Sequence, residues 1–256
     1  MKIQVLDHGY VEFIEAYGTG KSGVGELDLA LDPNVAGEIE IPYHYECGII
    51  EAARQSTQGS FRGWETDQRL LTYLYEHKHS TPFEFAGMII EVQAPIFVLR
   101  EWHRHRTQSY NEMSARYTPL PDLYYTPDYD VVMERASRSE ANKQASGSGF
   151  KDPEDVGFWI DALSEGYDTC EKIYKTALEK GIPKELARLI MPVGHYSKMR
   201  ASASLRNWIA FLTLRMDPNA QWEIRQYAGA VHEIITNFFP RTAELFNREF
   251  SIIKEN

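Results

Sequence analysis

Residues 85–106 read FAGMIIEVQAPIFVLREWHRHR and combine both kinds of secondary structure that the fold requires. The run 85–93 is rich in aliphatic residues and predicts a strand, which Ala94-Pro95 ends. Pro95 suits the first turn of a helix, where its missing N–H leaves no bond unmade, so a helix is expected over 96–106. The apolar start of this helix should be buried, and its cationic end is favoured by the helix dipole.

The segments on either side of this unit predict an α+β fold with long helices and few strands. Asp152-Pro153-Glu154 has the pattern of a helix start, and the helix that follows should run to about Lys180. Ser204 is expected to cap a helix over 205–215. The length allows one large domain or two small ones, and no internal repeat is present; we expect a single domain over 1–256 with a small antiparallel or mixed sheet. The other predicted elements are strands at 2–8 and 198–203 and helices at 47–56, 67–79, 184–190 and from Asp217-Pro218 to about Phe239.

Two stretches have no regular pattern. Residues 18–42 are rich in Gly, Asp and Pro and predict an irregular excursion. Within them GTGKSG (18–23) looks like part of a phosphate-binding loop, but that motif needs a glycine where Glu15 stands, so a nucleoside triphosphate is not expected there. Residues 134–152, ERASRSEANKQASGSGFKD, are polar and rich in Ser and Gly, which predicts a flexible surface insertion.

The composition excludes several classes of protein. The 256 residues carry a formal net charge of -10 and are 43% hydrophobic, which indicates a folded chain with a sizeable core and argues against nonspecific binding to nucleic acid or anionic membrane. The charged N-terminus does not have the form of a signal peptide, and no apolar run is long enough to span a bilayer. The two cysteines, Cys47 and Cys170, form no CxxC pair, and we expect both to pack in helices. A soluble, reduced, cytoplasmic protein is expected.

Residues 101–117, EWHRHRTQSYNEMSARY, concentrate cationic donors within this acidic chain. The Arg-His-Arg triplet at 104–106 offers two guanidinium forks and a histidine whose charge can change near neutral pH. Ser114 and Arg116 add a hydroxyl and another fork two residues apart, which suits a phosphate monoester. We expect 107–117 to be an ordered loop that helps to hold an anionic small molecule.

Two further arginines lie on predicted amphipathic helices. Arg188 and Arg215 are each flanked by apolar residues, and for either alone a structural ion pair or a snorkelling side chain is the better explanation. Together with the triplet at 104–106, they suggest a pocket for anionic small molecules.

Two His-x-His pairs, His77/His79 and His103/His105, raise the possibility of a metal site. On a helix, side chains two residues apart point to different faces. No nearby set of Asp, Glu or Cys completes a site, so no metal is expected.

The segment RHRTQSYNEMS (104–114) has the form Arg-His-Arg, seven residues, then Ser, and it resembles the signature of the flavin-dependent thymidylate synthases. The resemblance covers most of the chain except 18–42 and 134–152. Its other blocks, in the family's order, are MKIQVLDHGYVE (1–12), AARQS (52–56), HKHSTPFEF (77–85), APIFVLREW (94–102), ELARLIMP (185–192) and LTLRMDPNAQWEIRQYA (212–228).

The resemblance implies a homotetramer of α+β subunits with active sites at subunit interfaces. It implies reductive methylation of dUMP to dTMP, in which methylenetetrahydrofolate supplies the carbon, NADPH supplies electrons and FAD carries hydride. The other thymidylate synthase family attacks dUMP with a cysteine in a Pro-Cys context. Neither Cys47 nor Cys170 has that context.

The resemblance also assigns individual residues. Arg116 and Arg188 are expected at the dUMP phosphate, and Arg215 is expected to polarise the uracil ring as the catalytic residue. The cofactor-binding positions are Ser56, Thr81, Arg104, His105, Arg106, Glu112, Ser204, Arg206 and Ala210. The substrate-binding positions are Glu101, Arg104, Glu112, Ser114, Ala115, Arg116, Arg188 and Arg215.

Three of these residues depart from the family's pattern. Glu101 stands where some members place a Gln that helps to hold dUMP, and a carboxylate would repel a phosphate, so Glu101 is expected to turn toward an arginine. Ser204 and Ala210 stand where some members have Asn.

Two other functions remain open from the residues alone: a non-catalytic nucleotide-binding or anion-binding module, and a metal-dependent hydrolase that uses the His-x-His pairs. Flavin absorption bands in the purified protein would separate the three.

Overall fold

The computed structural model describes residues 1–21, 45–57, 59–135 and 152–255, with side chains up to Ser251. In these ranges an antiparallel sheet of five strands forms the centre of the fold, in the order β1-β2-β3-β5-β4. The strands are β1 (Lys2–Val5), β2 (Gly9–Tyr17), β3 (Gly87–Pro95), β4 (Ser109–Glu112) and β5 (Tyr196–Ser204).

Alternation along the central strands separates the two faces of the sheet. Met88, Ile90 and Val92 of β3 are fully buried, whereas the alternate residues Ile89, Glu91 and Gln93 are only partly covered. The buried face therefore forms the core, against which the helices pack. The helices are α1 (Cys47–Ala53), α2 (Trp64–Glu76), α3 (Ile96–Trp102), α4 (Tyr129–Arg135), α5 (Pro153–Glu179), α6 (Lys184–Ala187), α7 (Leu205–Arg215), α8 (Trp222–Phe238) and α9 (Pro240–Glu255).

The α+β prediction is confirmed, and so are several helix boundaries. Asp152 Oδ1 accepts the backbone N–H of Glu154 at 2.9 Å, so the predicted cap opens α5. Gly181, just beyond the end of α5, has φ +79°, a conformation that favours glycine at a helix end. Cys47 is buried in α1 and Cys170 is half-buried in α5, as expected.

Other predictions were wrong. The sequence pattern does not predict β2, and it predicts a loop where β4 lies; β4 is a short polar edge strand without hydrophobic alternation. Ser204 precedes α7, but its side chain makes no capping bond. Asp217 Oδ1 accepts the N–H of Asn219 at 2.7 Å in a separate turn, so α8 begins only at Trp222.

The two irregular stretches lie largely outside the described residues. Of the predicted excursion 18–42 only 18–21 is described, and of the insertion 134–152 only 134, 135 and 152 are described. Residues 134 and 135 end α4 instead of beginning an insertion. Within the ranges that the structure covers, each helix is too short or too polar to cross a lipid bilayer.

Candidate active site

The turn that follows α3 carries the Arg-His-Arg triplet. The sequence predicts a helix through Arg106, but α3 ends at Trp102, and residues 103–108 form a tight turn before β4. The hydroxyl of Tyr110 on β4 lies 2.8 Å from the carbonyl of His105 and 3.2 Å from that of Trp102. These contacts hold the turn against the end of α3 and explain why the helix stops.

The turn lies along α7. Asn207, near the start of α7, donates from Nδ2 to the carbonyl of Thr107 at 3.0 Å. Arg215, at the end of α7, donates from Nε to His105 Nε2 at 2.8 Å. These two contacts attach the turn to α7 through the side chain of His105, the middle residue of the triplet, and through the backbone of Thr107, just after it.

Three of the predicted arginines have unpaired side chains. Arg104, Arg106 and Arg188 are exposed, and within the described ranges none of the three makes a side-chain hydrogen bond or ion pair. Guanidinium groups that the protein leaves unpaired in this way are available to phosphate or carboxylate groups of a ligand.

Arg215 is held much more tightly. Its Nη1 forms an ion pair with Glu101 Oε1, and its Nη2 lies 3.3 Å from the Glu101 carbonyl oxygen. The two side chains are 16% and 23% exposed, so solvent screens this pair only weakly. The expectation that Glu101 turns toward an arginine is met by Arg215.

His105 is half-buried between charged and aromatic neighbours. The edge of its ring faces Phe211 of α7, with the ring centroids 4.9 Å apart. Burial and, secondly, the nearby Arg215 lower the pKa of His105 to about 4. The ring is therefore neutral at physiological pH.

Neighbouring groups and burial shift the pKa of Glu101 in opposite directions. Burial raises the pKa of Glu101 above the usual range of a glutamate, Arg215 acts in the opposite direction, and the carboxylate of Glu223 on α8 adds to the increase. Because Glu101 forms a direct ion pair with Arg215, the geometry favours the ionised carboxylate.

A second group of predicted residues lies between β4 and α6. Glu112 Oε1 accepts a hydrogen bond from Ser197 Oγ at 2.7 Å, and Ala115 is buried. Ser114 Oγ lies 3.4 Å from the backbone nitrogen of Arg116. The backbone here is thus anchored to β5, while the hydroxyl of Ser114 and the side chain of Arg116 remain at the surface.

This group extends to α6. Arg116 Nε lies 3.5 Å from Glu185 Oε2, and Lys184 Nζ donates to the carbonyl of Tyr117 at 2.8 Å. Arg188 follows α6 in a 3-10 helix, Arg188–Ile190, instead of the longer helix expected. The structure therefore brings Arg116 and Arg188 to the same part of the surface.

A third group surrounds the start of α7. Arg206 pairs with Glu84, and Ala210 lies one turn further along α7 with its side chain exposed. Ser204 Oγ is buried and has no hydrogen-bond partner among the residues that the structure describes. A buried hydroxyl in that state is costly unless a ligand or water satisfies it.

Ser56 and Thr81 each lie in a 3-10 helix (Gln55–Thr57 and Thr81–Glu84). Ser56 is exposed next to Arg54, whose guanidinium pairs with the buried Asp67. A pocket of about 330 Å³ lies beside Thr81. It is lined by Ala52, Ala53, Leu74, His79, Thr81, Pro82 and Phe85.

The His-x-His pairs serve aromatic packing. His77 stacks on Tyr73 with ring centroids 4.1 Å apart, and the edge of His103 meets Tyr110 at 4.9 Å. In the parts of the chain that the structure describes, no three His, Cys, Asp or Glu residues lie close enough together to hold a metal ion.

The sequence pattern does not identify three residues that position the site. They are Tyr110, Asn207 and Gln108, the last of which accepts from the buried Trp102 Nε1 at 3.1 Å. A polar residue that hydrogen-bonds to atoms elsewhere in the chain leaves no periodic pattern, so only the folded geometry identifies it.

Exposed apolar side chains border the second group. Tyr117 and Leu189 are 74% and 78% exposed, and Leu186, Ile190 and Val193 are also exposed in this structure. A patch of this kind, beside the unpaired Arg188, is typical of a surface that another protein surface covers.

Comparison with known proteins identifies the family to which this chain is similar. Residues 43–241 match the family model described as Thymidylate synthase complementing protein. The chain is 35% identical to the flavin-dependent thymidylate synthase of Thermus thermophilus over 240 residues, which cover 94% of this chain and 76% of that one. It is also 35% identical to the enzyme of the same name from Thermotoga neapolitana over 246 residues, 96% and 94% of the two chains.

A solved structure is similar throughout its length. The crystal structure of a UMP/dUMP methylase, PolB from Streptomyces cacaoi, bound with 5-Br dUMP, superposes with a TM-score of 0.74 at 28% identity and covers 96% of this chain and 97% of that one. The same methylase bound with 5-Br UMP superposes with a TM-score of 0.73.

Proposed function

The chain belongs to the flavin-dependent thymidylate synthase family, and from that premise we propose that it converts dUMP to dTMP by reductive methylation. Methylenetetrahydrofolate supplies the carbon, and two electrons from NADPH reduce that carbon to a methyl group, leaving tetrahydrofolate and NADP⁺. The observation that carries the proposal is the triplet turn, where two unpaired arginines flank a neutral histidine that is bound to a tightly held Arg215.

The cofactor would be FAD, which supplies hydride to the reaction when bound. The donor set fits such a ligand, since Arg104 and Arg106 offer unpaired guanidinium groups to a diphosphate, and Ser204 Oγ is a buried hydroxyl without a partner in the described part of the chain. Arg206 would join them at the start of α7, near Ala210. Ser56, Thr81 and Glu112 would complete the flavin contacts.

The substrate would lie against the second group. Arg116 and Arg188 would hold the phosphate of dUMP, and Ser114 with the neighbouring backbone of Ala115 would hydrogen-bond to the nucleotide. Arg104 and Glu112 would contact dUMP as well as the flavin. Ser114 has no base assigned to it, so it acts as a hydrogen-bond donor and not as a nucleophile.

Arg215 would stabilise the negative charge that develops on the uracil ring when hydride reaches the ring. A guanidinium group stays protonated at working pH, and in a site shielded from water it stabilises an adjacent anion strongly. The contacts with Glu101 and His105 hold it in place before the substrate arrives, so little reorganisation is needed during the reaction.

The active unit would be a homotetramer in which several subunits contribute to each site. Tyr117, Leu189 and Val193 form part of an apolar border beside Arg116 and Arg188, which a second subunit would cover. Assembly would also join the residues around Ser56 and Thr81 to the triplet turn of another chain. A cytoplasmic location is consistent with nucleotide synthesis that uses NADPH.

A second candidate substrate is UMP, because the similar solved structure is of a methylase described as acting on UMP as well as dUMP. The arginines that would bind phosphate do not discriminate between the two sugars. A direct comparison of substrates decides between them.

The decisive experiment starts with the absorption spectrum of the purified protein before and after addition of FAD. The reduced, flavin-loaded protein is then mixed with methylenetetrahydrofolate and either dUMP or UMP, and the methylated product is measured by chromatography. We expect flavin bands and dTMP formation. A protein that stays free of flavin after addition of FAD, or that makes neither product, would refute the proposal.

The assembly requires its own test. Light scattering should give four subunits per particle, and Leu189→Glu should lower both the particle mass and the affinity for FAD. If the parent binds FAD with full affinity as a monomer, the interface proposal is wrong.

A further inference from the structure

All three guanidinium nitrogens of Arg215 are engaged, two with Glu101 and one with His105. The Arg215 guanidinium pairs with Glu101 Oε1 through Nη1, approaches the Glu101 carbonyl through Nη2 at 3.3 Å and donates to His105 through Nε at 2.8 Å. Glu101 and His105 are four residues apart on the end of α3 and its following turn, whereas Arg215 comes from α7. One guanidinium thus bridges two elements, and Glu101 occupies one side of it.

The hydrogen bond from Arg215 determines which imidazole nitrogen of His105 carries a proton. Arginine is protonated under all ordinary conditions, so Arg215 Nε–H can only donate. His105 Nε2 must therefore present its lone pair, which excludes the doubly protonated ring and puts the single proton on Nδ1. The pKa of about 4 agrees with this, and Phe211 packs against the ring to limit its rotation.

We infer that Glu101 is a positioning residue that acts through Arg215, and that the pair holds His105 as a neutral donor with its proton on Nδ1. The inference rests on the proposed function for its consequence in catalysis, namely that the triplet offers flavin or substrate a hydrogen-bond donor and not a third cation. Its structural part concerns only the three residues named.

The charge of Glu101 explains why a carboxylate is suited to this position. Arg104, Arg106 and Arg215 are cations on one short stretch of surface and its neighbouring helix. A carboxylate beside Arg215 compensates one of these charges, while Arg104 and Arg106 stay unpaired for ligand anions. A glutamine would keep an oxygen acceptor for Arg215 but would leave its charge uncompensated.

The structural part is tested by NMR of the full chain labelled with ¹⁵N-histidine, without flavin and with it. The signals of His105, identified by their loss in His105→Gln, should show a protonated Nδ1 and an unprotonated Nε2, unchanged across about pH 6 to 8. In Glu101→Ala the released Arg215 should no longer fix the ring, so the two nitrogen signals should move toward each other. Glu101→Gln should keep the parent signals because its amide oxygen still accepts from Arg215.

Two other variants complete this arm. Arg215→Ala should change the His105 signals in the same way as Glu101→Ala, which preserves the test if Glu101→Ala does not fold. Glu244→Ala removes a carboxylate that pairs with Arg248 on α9, away from the site, and should leave the His105 signals unchanged.

The kinetic arm measures flavin oxidation. In Glu101→Ala, reoxidation that depends on dUMP should slow roughly tenfold, because one charge-assisted contact that orients Arg215 is lost. Flavin reduction by NADPH should keep its parent rate. Glu101→Ala combined with Arg215→Ala should be no slower than Arg215→Ala alone, since Glu101 acts through Arg215.

The inference is overturned if the parent His105 carries its proton on Nε2, or if neither Glu101→Ala nor Arg215→Ala alters the His105 signals. Equal rates for Glu101→Ala and the parent would overturn its catalytic part. The NMR arm needs neither flavin nor dUMP, so a parent that makes no dTMP would refute the proposed function while the state of His105 is still decided by its own spectra.

Discussion

Replacing Arg215 with alanine should impair the dUMP-dependent reoxidation of the flavin but not its reduction by NADPH. Its guanidinium contacts Glu101 through an ion pair and a 3.3 Å contact to the carbonyl, and it donates to His105 at 2.8 Å. None of these contacts involves Arg104 or Arg106, which would bind the flavin. Arg215→Ala should therefore retain FAD and still be reduced by NADPH, but it should lose most of its dUMP-dependent reoxidation.

The magnitude follows from the role of a preorganised donor. Removing one such donor to a developing negative charge lowers turnover by roughly 10²–10³-fold, or about 2.7–4 kcal/mol. The protein should also lose stability, because the half-buried Glu101 carboxylate is left unpaired at a cost of about 1–3 kcal/mol. For a chain of this size, each kcal/mol lowers Tm by about 2–4 °C.

The assay is stopped-flow absorption of the flavin, first during reduction by NADPH and then during reoxidation at saturating dUMP, beside a measurement of dTMP. Arg215→Lys keeps the charge but not the forked geometry, and it should fall between the parent and Arg215→Ala. Arg248→Ala, which breaks a surface ion pair with Glu244, is the control for loss of an arginine. If Arg215→Ala makes dTMP at nearly the parent rate, Arg215 is a structural arginine and its assignment is wrong.

Three further outcomes follow from the same geometry. Tyr110→Phe should weaken FAD binding roughly fivefold by loosening the triplet turn, as measured by fluorescence titration, whereas Tyr167→Phe, which loses a similar 3.0 Å bond to a carbonyl on another part of the chain, should not change it. The lowered pKa of His105 means that the unfolded chain binds more protons than the folded one between about pH 4 and 6.5, so the free energy of unfolding should fall as pH drops through that range. Urea titrations should show this slope, and His105→Gln should reduce it; an equal slope in both proteins would contradict the assignment. Alanine at both Cys47 and Cys170 should leave dTMP formation largely intact, and loss of activity in a folded, flavin-loaded double variant would reopen a thiolate mechanism.

Helix caps and apolar periodicity made much of the helical framework predictable. Asp152 before a proline gave the start of α5, and the 205–215 boundaries of α7 agree with the structure. These signals are local, because the side chain that decides each boundary lies within a few residues of it. Where the deciding contact is distant in sequence, as for β4 paired with β5, the local pattern failed.

The same distinction applies to the site. The triplet at 104–106 was recognisable because its residues are contiguous, and Arg215 was assigned only through the family resemblance. What no pattern predicts is that Arg215 reaches Glu101 and His105 across 110 or more residues of chain, or that Tyr110 ends α3. The roles proposed for Ser56 and Thr81 depend on the proposed assembly of subunits, and contacts between subunits leave no local pattern in a single sequence.

Because the chain has more acidic than basic residues, arginines without a carboxylate partner are informative. With 37 acidic residues against 27 basic ones, carboxylates are plentiful, and Arg116, Arg206 and Arg215 each have one as a partner. Arg104 and Arg106 lie within a few residues of Glu101, yet that carboxylate is taken up by Arg215. Because a fixed turn keeps the two arginines exposed and Glu101 is already engaged, the positive potential at the turn is available to an incoming anion. Glu101 thus has two effects. It orients Arg215, which would act on the uracil ring, and it leaves Arg104 and Arg106 unpaired and available to ligands.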